Sequence, residues 1–296
     1  MALESVTTCP LCTGTDFELF NHCTDFTATK EEFSIIKCTT CNFLMTSPRP
    51  DSNSIGEYYK SEDYISHSTT AKSPLDKLYR KVRSLTLRWK LSLIQRQKGK
   101  GKILDYGCGT GEFLNACKKA NWDCYGVEPS NAARQKAIEL TSLTISASLA
   151  NLHQDKFDTI TLWHVLEHIE DLNEKLLALK SILAVDGTIF IAVPNHESSD
   201  ALKYQSHWAG YDVPRHLWHF SKENMKTLFA KHKLNLVDII PMKQDSFYVS
   251  LLSERYQHPT TPIVLNLLRA ILTGLKSNLA ARKDRNYSSL VYIAKA

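Results

Sequence analysis

The stretch Ile103-Leu-Asp-Tyr-Gly-Cys-Gly-Thr-Gly-Glu-Phe-Leu114 decides the fold of this chain. An apolar strand is predicted to end at Asp105, and a helix is predicted to follow three glycines that stand at every second position, Gly107, Gly109 and Gly111. Glycine lets the backbone turn sharply and approach a ligand where a side chain would collide. The first turn of the helix adds unpaired N–H groups at the same place. The stretch therefore predicts a strand, a nucleotide-binding turn and a helix.

Further strands are predicted after this turn, with helical stretches between them. Residues 122–128 form a short strand that ends at Glu128, and Phe157–Trp163 forms a strand that runs straight into His164-Val-Leu-Glu-His168. Another strand, 187–195, follows the helical stretch 172–183. Strands that alternate with helices predict a parallel, doubly wound sheet, which binds its ligands at the carboxyl ends of its strands.

The G-x-G-x-G spacing, the aspartate before it and the acidic residue one βα unit later resemble motif I of class I S-adenosylmethionine (SAM) methyltransferases, in the methyltransferase-23-like group. The resemblance implies an α/β fold with a doubly wound seven-stranded methyltransferase sheet and SAM as the cofactor. In such sheets a carboxylate at the position of Glu128 accepts hydrogen bonds from ribose hydroxyls. The implied cofactor-binding residues are Asp105, Gly107, Cys108, Gly109, Gly111, Glu128, Pro129, Trp163 and His164.

An aromatic segment, 55–67, precedes the glycine turn and is common at this place in the same methyltransferase group. The resemblance implies that Tyr59, Tyr64 or His67 folds over the methionine end of the cofactor. The alternative is that these side chains only pack the N-terminal part of the chain onto the core.

Four cysteines are spaced as metal ligands. Cys9 and Cys12 form one C-x2-C pair, and Cys38 and Cys41 form a second pair, with 25 residues between the pairs. Two such knuckles close a tetrahedral four-sulfur site of the kind that Zn²⁺ occupies, and a four-thiolate site leaves no open position for a substrate. We therefore expect a zinc ribbon with a structural metal. Two unrelated pairs of buried thiols, or a redox C-x-x-C, are the alternatives.

Length and composition allow three parts. A chain of 296 residues with 43% hydrophobic content can bury an α/β core and carry a small module. We expect a zinc-ribbon-like module at 1–46, a linker and basic amphipathic helix at 47–100, and a SAM-binding domain at 101–296 with an insert at about 245–284. We expect no signal peptide and no transmembrane segment. Eight cysteines without a secretion signal favour reduced thiols and a cytoplasmic location.

The helix predicted at 74–98 has an apolar face and a basic face. The apolar face holds Leu75, Leu78, Val82, Leu85 and Trp89. Residues 77–102 contain ten Lys and Arg and no acidic residue, whereas the whole chain carries +5, so the remainder carries −5. A solvated helix face, a site for an anionic substrate or RNA, and a membrane-surface contact are three interpretations. Nucleic acid is disfavoured as a partner because few aromatic residues stand between the basic ones.

The second half of the chain must supply the acceptor site. Two interpretations fit His164, Glu167 and His168, which would share one face of a helix: they line the cofactor pocket, or they bind a divalent ion. The loop 208–221 would lie above the ligand edge of the sheet, and its His216 is the first candidate for a general base, with His168 the second. The alternative is that Arg215 and His216 only hold the loop through hydrogen bonds.

Two features depart from the plain fold. The insert contains one predicted helix, 262–279, whose broad apolar face fits a wall of the substrate pocket, a homodimer contact or a peripheral membrane contact. The stretch 144–149 lacks the acidic residue that many relatives place against the adenine, so adenine would be bound by backbone groups or by Asp155 and its neighbours.

The function predicted from the sequence is methyl transfer from SAM to a small-molecule acceptor, by O- or C-methylation. One alternative is an RNA base methyltransferase that docks RNA through the zinc ribbon and the basic helix. It is disfavoured because the strand Phe157–Trp163 is followed by His-Val-Leu-Glu rather than an N/D-P-P-Y type motif. The other alternative is a non-catalytic SAM-binding scaffold.

Overall fold

The computed structural model describes residues 2–59, 74–97, 99–152 and 155–296. Its centre is a seven-stranded sheet with the order β12-β13-β10-β9-β6-β7-β8. Six strands run in the same direction, and β13 runs antiparallel to its two neighbours, β10 and β12. The strands are β6 (Lys102–Tyr106), β7 (Asp123–Val127), β8 (Ile145–Ser146), β9 (Phe157–Trp163), β10 (Leu183–Pro194), β12 (Asn235–Pro241) and β13 (Ser289–Lys295). The predicted seven-stranded α/β sheet is confirmed.

Helices cover both faces of this sheet. One layer is formed by α1, α2 and α3, and the other by α4 and α6. Neighbouring residues of β10 alternate between the two layers: Ile189 and Ile191 pack toward α4 and α6, and Phe190 packs toward α1 and α2. This alternation with a period of two is why the strands are apolar throughout. The helices are α1 (Pro74–Gln97), α2 (Glu112–Lys119), α3 (Asn131–Thr141), α4 (Leu172–Ser181), α5 (Ser199–Tyr204), α6 (Lys222–Lys231), α7 (Asp245–Gln257) and α8 (Ile263–Asp284).

The N-terminal part of the chain forms a second, smaller sheet. It contains β2 (Phe17–Thr24), β3 (Glu32–Cys38), β4 (Leu44–Thr46) and, as its fourth strand, β11 (Trp218–His219). The two-residue strands β1 (Leu3–Glu4) and β5 (Arg49–Pro50) pair separately. Because β11 belongs to the loop predicted to cover the acceptor, the cysteine-bearing segment is joined to that loop by main-chain hydrogen bonds. The boundary at residue 46, between the zinc-ribbon-like module and the linker, stays a prediction.

The insert before the last strand is confirmed, and it holds two helices where one was predicted. The second, α8, is long enough and apolar enough to cross a membrane by length and composition alone. The first, α7, was missed because its sequence is a mixture of serine, aromatic and charged residues without a clear apolar stripe.

The apolar face predicted for α1 is wrong at two positions. Val82 and Leu85 are exposed, whereas Leu93 and Ile94 are buried against the core and Trp89 packs beside them. Among the described side chains of α1, those of the C-terminal half contact the core, and the side chains of Leu75 and Leu78 lie outside the described part of the chain.

Candidate functional site

The glycine turn connects β6 to α2, and its three glycines all have positive φ: 75° at Gly107, 55° at Gly109 and 82° at Gly111. A Cβ on Gly107 would lie 2.5 Å from Val165, and one on Gly111 would lie 3.0 Å from Ala137. A Cβ on Gly109 would meet no described atom within 4 Å. Two of the glycines therefore fit the turn against its neighbours, and the third faces open space where a ligand can approach the backbone.

Glu128 follows the end of β7 and lies beside this turn. Its Oε2 accepts a hydrogen bond of 2.9 Å from the N–H of Gly109, and its Oε1 accepts one of 2.8 Å from the N–H of Ser130. The structure thus brings together the glycine turn and the carboxylate that the sequence predicted as partners. Pro129, the next residue, is exposed at the rim.

Asp105 is buried beneath the turn. The hydroxyl of Thr161 donates a 2.7 Å hydrogen bond to its Oδ1, and burial raises the pKa of Asp105 to about 7. Cys108 points into the core, where its sulfur would lie 3.1 Å from a Cβ on Gly126, and burial raises its pKa. Cys108 can therefore offer only main-chain groups to a ligand.

Trp163 ends β9 at the same edge. The ring of Phe113 meets it edge-on at 5.3 Å, and the ammonium of Lys90 lies 4.5 Å from its centroid. Burial lowers the pKa of Lys90. The sequence pointed to Trp163 but not to Lys90, which is one of many basic residues on α1. Tyr64 and His67 lie outside the described residues.

His164 is not part of the predicted helix, because it has a φ of 58° and a short 3-10 turn begins only at Leu166. Its Nε2 lies 2.9 Å from Oδ2 of Asp245, and its Nδ1 lies 3.4 Å from Oε1 of Glu167. Burial alone would lower the pKa of His164, but the hydrogen bonds and charges of these two carboxylates raise it to about 9. His164 is therefore held between two carboxylates that favour its protonated form. Asp245 was missed because it stands 81 residues away, at the start of the insert.

His216 and His168 meet next to Glu167. Their rings lie edge to face with centroids 4.6 Å apart. Nδ1 of His216 is 2.9 Å from the carbonyl oxygen of Gly210, and because a carbonyl only accepts, Nδ1 carries the proton and Nε2 is free to accept one. That Nε2 lies 4.0 Å from Glu167 Oε1 and 4.0 Å from Asp212 Oδ2.

His168 has a different environment. Burial, together with repulsion from His216, lowers the pKa of His168 to about 4, so the ring is neutral at pH 7. Its Nδ1 lies 3.0 Å from the carbonyl oxygen of Arg215 and 3.0 Å from the hydroxyl of Tyr59. Of Tyr59, Tyr64 and His67, the structure describes Tyr59. Its hydroxyl reaches His168, on the acceptor side of the site.

Glu167 is almost fully buried. The contacts with His164, His216 and His168 outweigh burial and lower the pKa of Glu167, so it is an anion. Glu167, His168 and His216 each place one ligand atom within 4.8 Å of the others. The trio that could hold a cation therefore contains His216 in place of the predicted His164.

Arg215 holds the loop in place rather than facing the site. It is 1% exposed, and its guanidinium donates to Asp25 at 2.8 Å, to Asp212 at 2.7 Å and to the carbonyl oxygen of Tyr58 at 3.0 Å. Thr46 adds a second tie, because its hydroxyl donates to the carbonyl oxygen of His216 at 2.7 Å. The contacts of Arg215 therefore fit the alternative interpretation, in which it only holds the loop through hydrogen bonds.

Asp155 does not lie at the adenine side of the site. It pairs with Lys102 at 3.2 Å, and Lys102 is the first residue of β6, at the edge of the sheet opposite the glycine turn. The suggestion that Asp155 binds adenine is therefore wrong.

The four cysteines predicted as ligands lie together, with all four sulfurs within 4.8 Å of one another. The sulfurs of Cys9 and Cys41 are 3.6 Å apart, and those of Cys12 and Cys38 are 3.5 Å apart. Burial raises the pKa of Cys38, but hydrogen bonds from the backbone N–H groups of Cys41 and Thr40 outweigh it and lower that pKa to about 7. A thiolate is therefore favoured at Cys38, whereas burial raises the pKa of Cys9 and of Cys41.

A family model described as a methyltransferase domain matches residues 76–239. A ubiquinone biosynthesis O-methyltransferase from Actinobacillus pleuropneumoniae serotype 7 is 34% identical over 123 residues, which cover 36% of this chain and 52% of that protein. A protein of the same name from Bartonella quintana is 26% identical over 158 residues, which cover 47% of this chain and 62% of that protein. The chain spans about half the length of the first of these curated relatives.

A solved structure shares the fold. Magnesium protoporphyrin IX methyltransferase from Synechocystis PCC 6803, determined with bound SAH, aligns with a TM-score of 0.52 and 14% identity, over 82% of this chain and 99% of that chain. At this identity the likeness concerns the arrangement of strands and helices.

Proposed function

The chain belongs to the class I SAM-dependent methyltransferases, and we propose that within this family it transfers the methyl group of SAM to a hydroxyl oxygen of a small molecule. The observation that carries the choice of oxygen is the environment of His216. Methyl transfer to a hydroxyl needs a proton acceptor. Nδ1 of His216 donates to the carbonyl oxygen of Gly210, so Nε2, which lies 4.0 Å from each of two carboxylates, is the nitrogen that would take the proton.

The cofactor would lie along the carboxyl edge of β6, β7 and β9. Glu128 would accept hydrogen bonds from the ribose hydroxyls. These would replace the hydrogen bond that Glu128 accepts from the N–H of Gly109. Gly109, with open space at its missing side chain, lets the cofactor approach the turn. Trp163 and His164 follow the next strand and would flank the adenosine and methionine parts.

His216 would act as the general base and His168 as a neutral neighbour. When His216 takes the acceptor's proton, its imidazolium is stabilised by Glu167 and Asp212, each 4.0 Å from Nε2. His168 is the weaker candidate because its pKa is about 4. Since the segment 164–168 abuts the glycine turn through Val165 and Gly107, the base lies close to the edge where the methyl group would be presented.

The names of the relatives and the strength of the proposed base both favour an aromatic hydroxyl as the methyl acceptor. The curated relatives are named O-methyltransferases of ubiquinone biosynthesis. A phenolic or catecholic hydroxyl loses its proton more readily than an aliphatic one, so a base of histidine strength suits it. Phenols and catechols are therefore the first acceptors to be tried.

The test combines binding and turnover. Calorimetry with SAM, S-adenosylhomocysteine and NAD should show binding of the first two and not of NAD. With a panel of phenols and catechols, His216→Gln should lower kcat by about a hundredfold or more while SAM affinity stays unchanged. Equal turnover by the variant would remove His216 from the mechanism. A bound SAM that no acceptor in the panel or in a metabolite extract consumes would favour the scaffold alternative.

We also propose that Cys9, Cys12, Cys38 and Cys41 hold a structural Zn²⁺. Sulfurs around a tetrahedral zinc with bonds of about 2.3 Å are roughly 3.8 Å apart. Here the sulfurs of Cys9 and Cys41 are 3.6 Å apart and those of Cys12 and Cys38 are 3.5 Å apart. Four thiolates complete the coordination, so this metal would support the fold and take no part in methyl transfer. Elemental analysis should find about one zinc per chain, and a metal-free, folded protein would overturn the assignment.

A further inference from the structure

The two helices of the insert pack against each other through small and polar side chains. The hydroxyl of Ser246 on α7 donates to the carbonyl oxygen of Gly274 on α8 at 3.3 Å, and the amide of Asn278 donates to Ser246 Oγ at 3.0 Å. A Cβ on Gly274 would lie 2.6 Å from Phe247, so the helices are in close contact. The buried positions of α8 are Asn266, Ala270, Thr273, Gly274, Ser277 and Ala281, and those of α7 are Ser246, Ser250, Ser253 and Glu254.

The large apolar side chains of α8 point outward. Eight of them are exposed by 39 to 65%. A helix of a water-soluble protein normally does the reverse and buries its apolar stripe, whereas small residues between helices and large apolar residues outside are the pattern of helices that meet lipid. The exposed side chains are Ile263, Val264, Leu265, Leu268, Ile271, Leu272, Leu275 and Leu279.

One border of this apolar face is basic. Arg269, Lys276 and Lys283 stand seven residues apart and therefore form a line along the helix beside the leucines. The helix contains four basic residues and one acidic residue, Asp284. A second copy packed on this face by a two-fold axis would bring two basic lines together without acidic partners, whereas anionic headgroups complement them.

The buried side of α8 is anchored along its length. The hydroxyl of Ser277 donates to Asp200 at 2.6 Å, and Lys203 donates to the hydroxyl of Thr273 at 2.6 Å, both across the contact with α5. A helix held in this way can offer only its outer half to a bilayer, so it would lie in the plane of the interface rather than cross the membrane.

We propose that α8 binds the surface of a bilayer that contains anionic lipids, with its leucine-rich face at the acyl-chain boundary and its basic line among the headgroups. The proposal does not depend on the methyl acceptor.

Vesicle flotation with the full chain tests it. Vesicles are made of phosphatidylcholine alone and of phosphatidylcholine with phosphatidylglycerol at a three-to-one molar ratio. The wild type should float with the anionic vesicles, and the bound fraction should fall as salt is added. Leu268→Ser/Leu272→Ser should lower the partition coefficient by about tenfold or more. Leu177→Ser/Val185→Ser, which removes two exposed apolar side chains from α4 and β10, should leave binding unchanged.

A second pair of variants separates charge from apolar contact. Arg269→Glu/Lys276→Glu should weaken binding to anionic vesicles by about thirtyfold or more, whereas Lys119→Glu/Lys136→Glu on α2 and α3 should have little effect. Circular dichroism confirms that each variant is folded. The proposal is wrong if the wild type does not bind anionic vesicles, or if the leucine variant binds as well as its control. It is also wrong if light scattering shows a dimer that Leu268→Ser/Leu272→Ser dissociates, without vesicle binding; the face is then a subunit contact.

Discussion

His164 and Asp245 join the insert to the ligand edge of the sheet: Nε2 of the histidine lies 2.9 Å from Oδ2 of the aspartate. His164 follows the end of β9, and Asp245 begins α7. Because Glu167 approaches the other ring nitrogen at 3.4 Å, the protonated ring is favoured over the neutral one. The insert is therefore joined to the ligand edge by an ion pair whose strength depends on the protonation of His164.

The first prediction concerns pH. The pKa of His164 rises from an ordinary 6.5 to about 9 on folding. The stabilisation is therefore complete below pH 6.5 and is lost as the pH rises through about 9. We expect a loss of about 2 kcal/mol in the free energy of unfolding, since a tenfold change in proton affinity is worth about 1.4 kcal/mol and partial exposure reduces the effect.

Urea unfolding at a series of pH values measures this loss. His164→Asn removes the titrating ring and tolerates the positive φ at this position, and Asp245→Asn removes its partner. Both variants should lose less stability than the wild type between pH 6.5 and pH 9. Parallel curves for the wild type and His164→Asn would contradict the assignment of the ion pair.

The second prediction concerns the cofactor. Glu128→Gln should raise the Kd for SAM by about ten- to a hundredfold, because hydrogen bonds to a charged acceptor are worth roughly 1.5–3 kcal/mol. Glu139→Gln, on the exposed face of α3, is the matched control and should bind SAM as the wild type does. Calorimetry measures both. Unchanged affinity in Glu128→Gln would show that the ribose is bound elsewhere.

The third prediction concerns the buried pair Asp25 and Arg215, which are 0% and 1% exposed. Asp25→Asn removes a buried carboxylate to which Arg215 donates and leaves Asp212 to balance the guanidinium, so the variant should be destabilised by about 3 kcal/mol. Asp16→Asn, an exposed aspartate of the same N-terminal part, should change stability by less than about 0.5 kcal/mol. Urea unfolding compares the two. A small effect at Asp25 would show that the charge is solvated or neutralised by other groups.

The features that could be predicted from the sequence are those that a local pattern of residues determines. The alternation of strands and helices predicted the sheet. The glycine spacing and Glu128 predicted parts of one cofactor site, and the structure places the two 2.9 Å apart. Contacts between distant segments had no such signal. Asp25 and Arg215 are 190 residues apart, and nothing in either local sequence identifies the other as its partner.

A similar limit applies within α1. The periodicity of its apolar residues placed Val82 and Leu85 on the buried face, but both are exposed, whereas Leu93 and Ile94 further along the helix are buried. Periodicity identifies a candidate face, whereas the neighbouring elements decide which part of it is covered.

The fourth prediction concerns the metal and the loop that carries His216. Cys38 ends β3, which pairs with β4, and β4 pairs with β11 of that loop. Thr46 at the end of β4 also donates to the carbonyl oxygen of His216. Loss of the metal should therefore disorder β3 and β4 and release the loop, although the loop lies more than 160 residues from the cysteines along the chain.

Hydrogen exchange of residues 208–221 measures this release. Cys38→Ala, or treatment with a zinc chelator, should speed exchange in this loop by about tenfold or more, since its ties to the N-terminal sheet are the contacts that close it. Cys23→Ala is the matched control, because Cys23 is a buried cysteine of the same sheet that lies outside the four-sulfur cluster. SAM affinity should stay the same in both variants, as the glycine turn and Glu128 belong to the other sheet. If zinc is lost and exchange in the loop stays slow, the sheet is held by β4 and β11 without the metal, and the coupling proposed here is wrong.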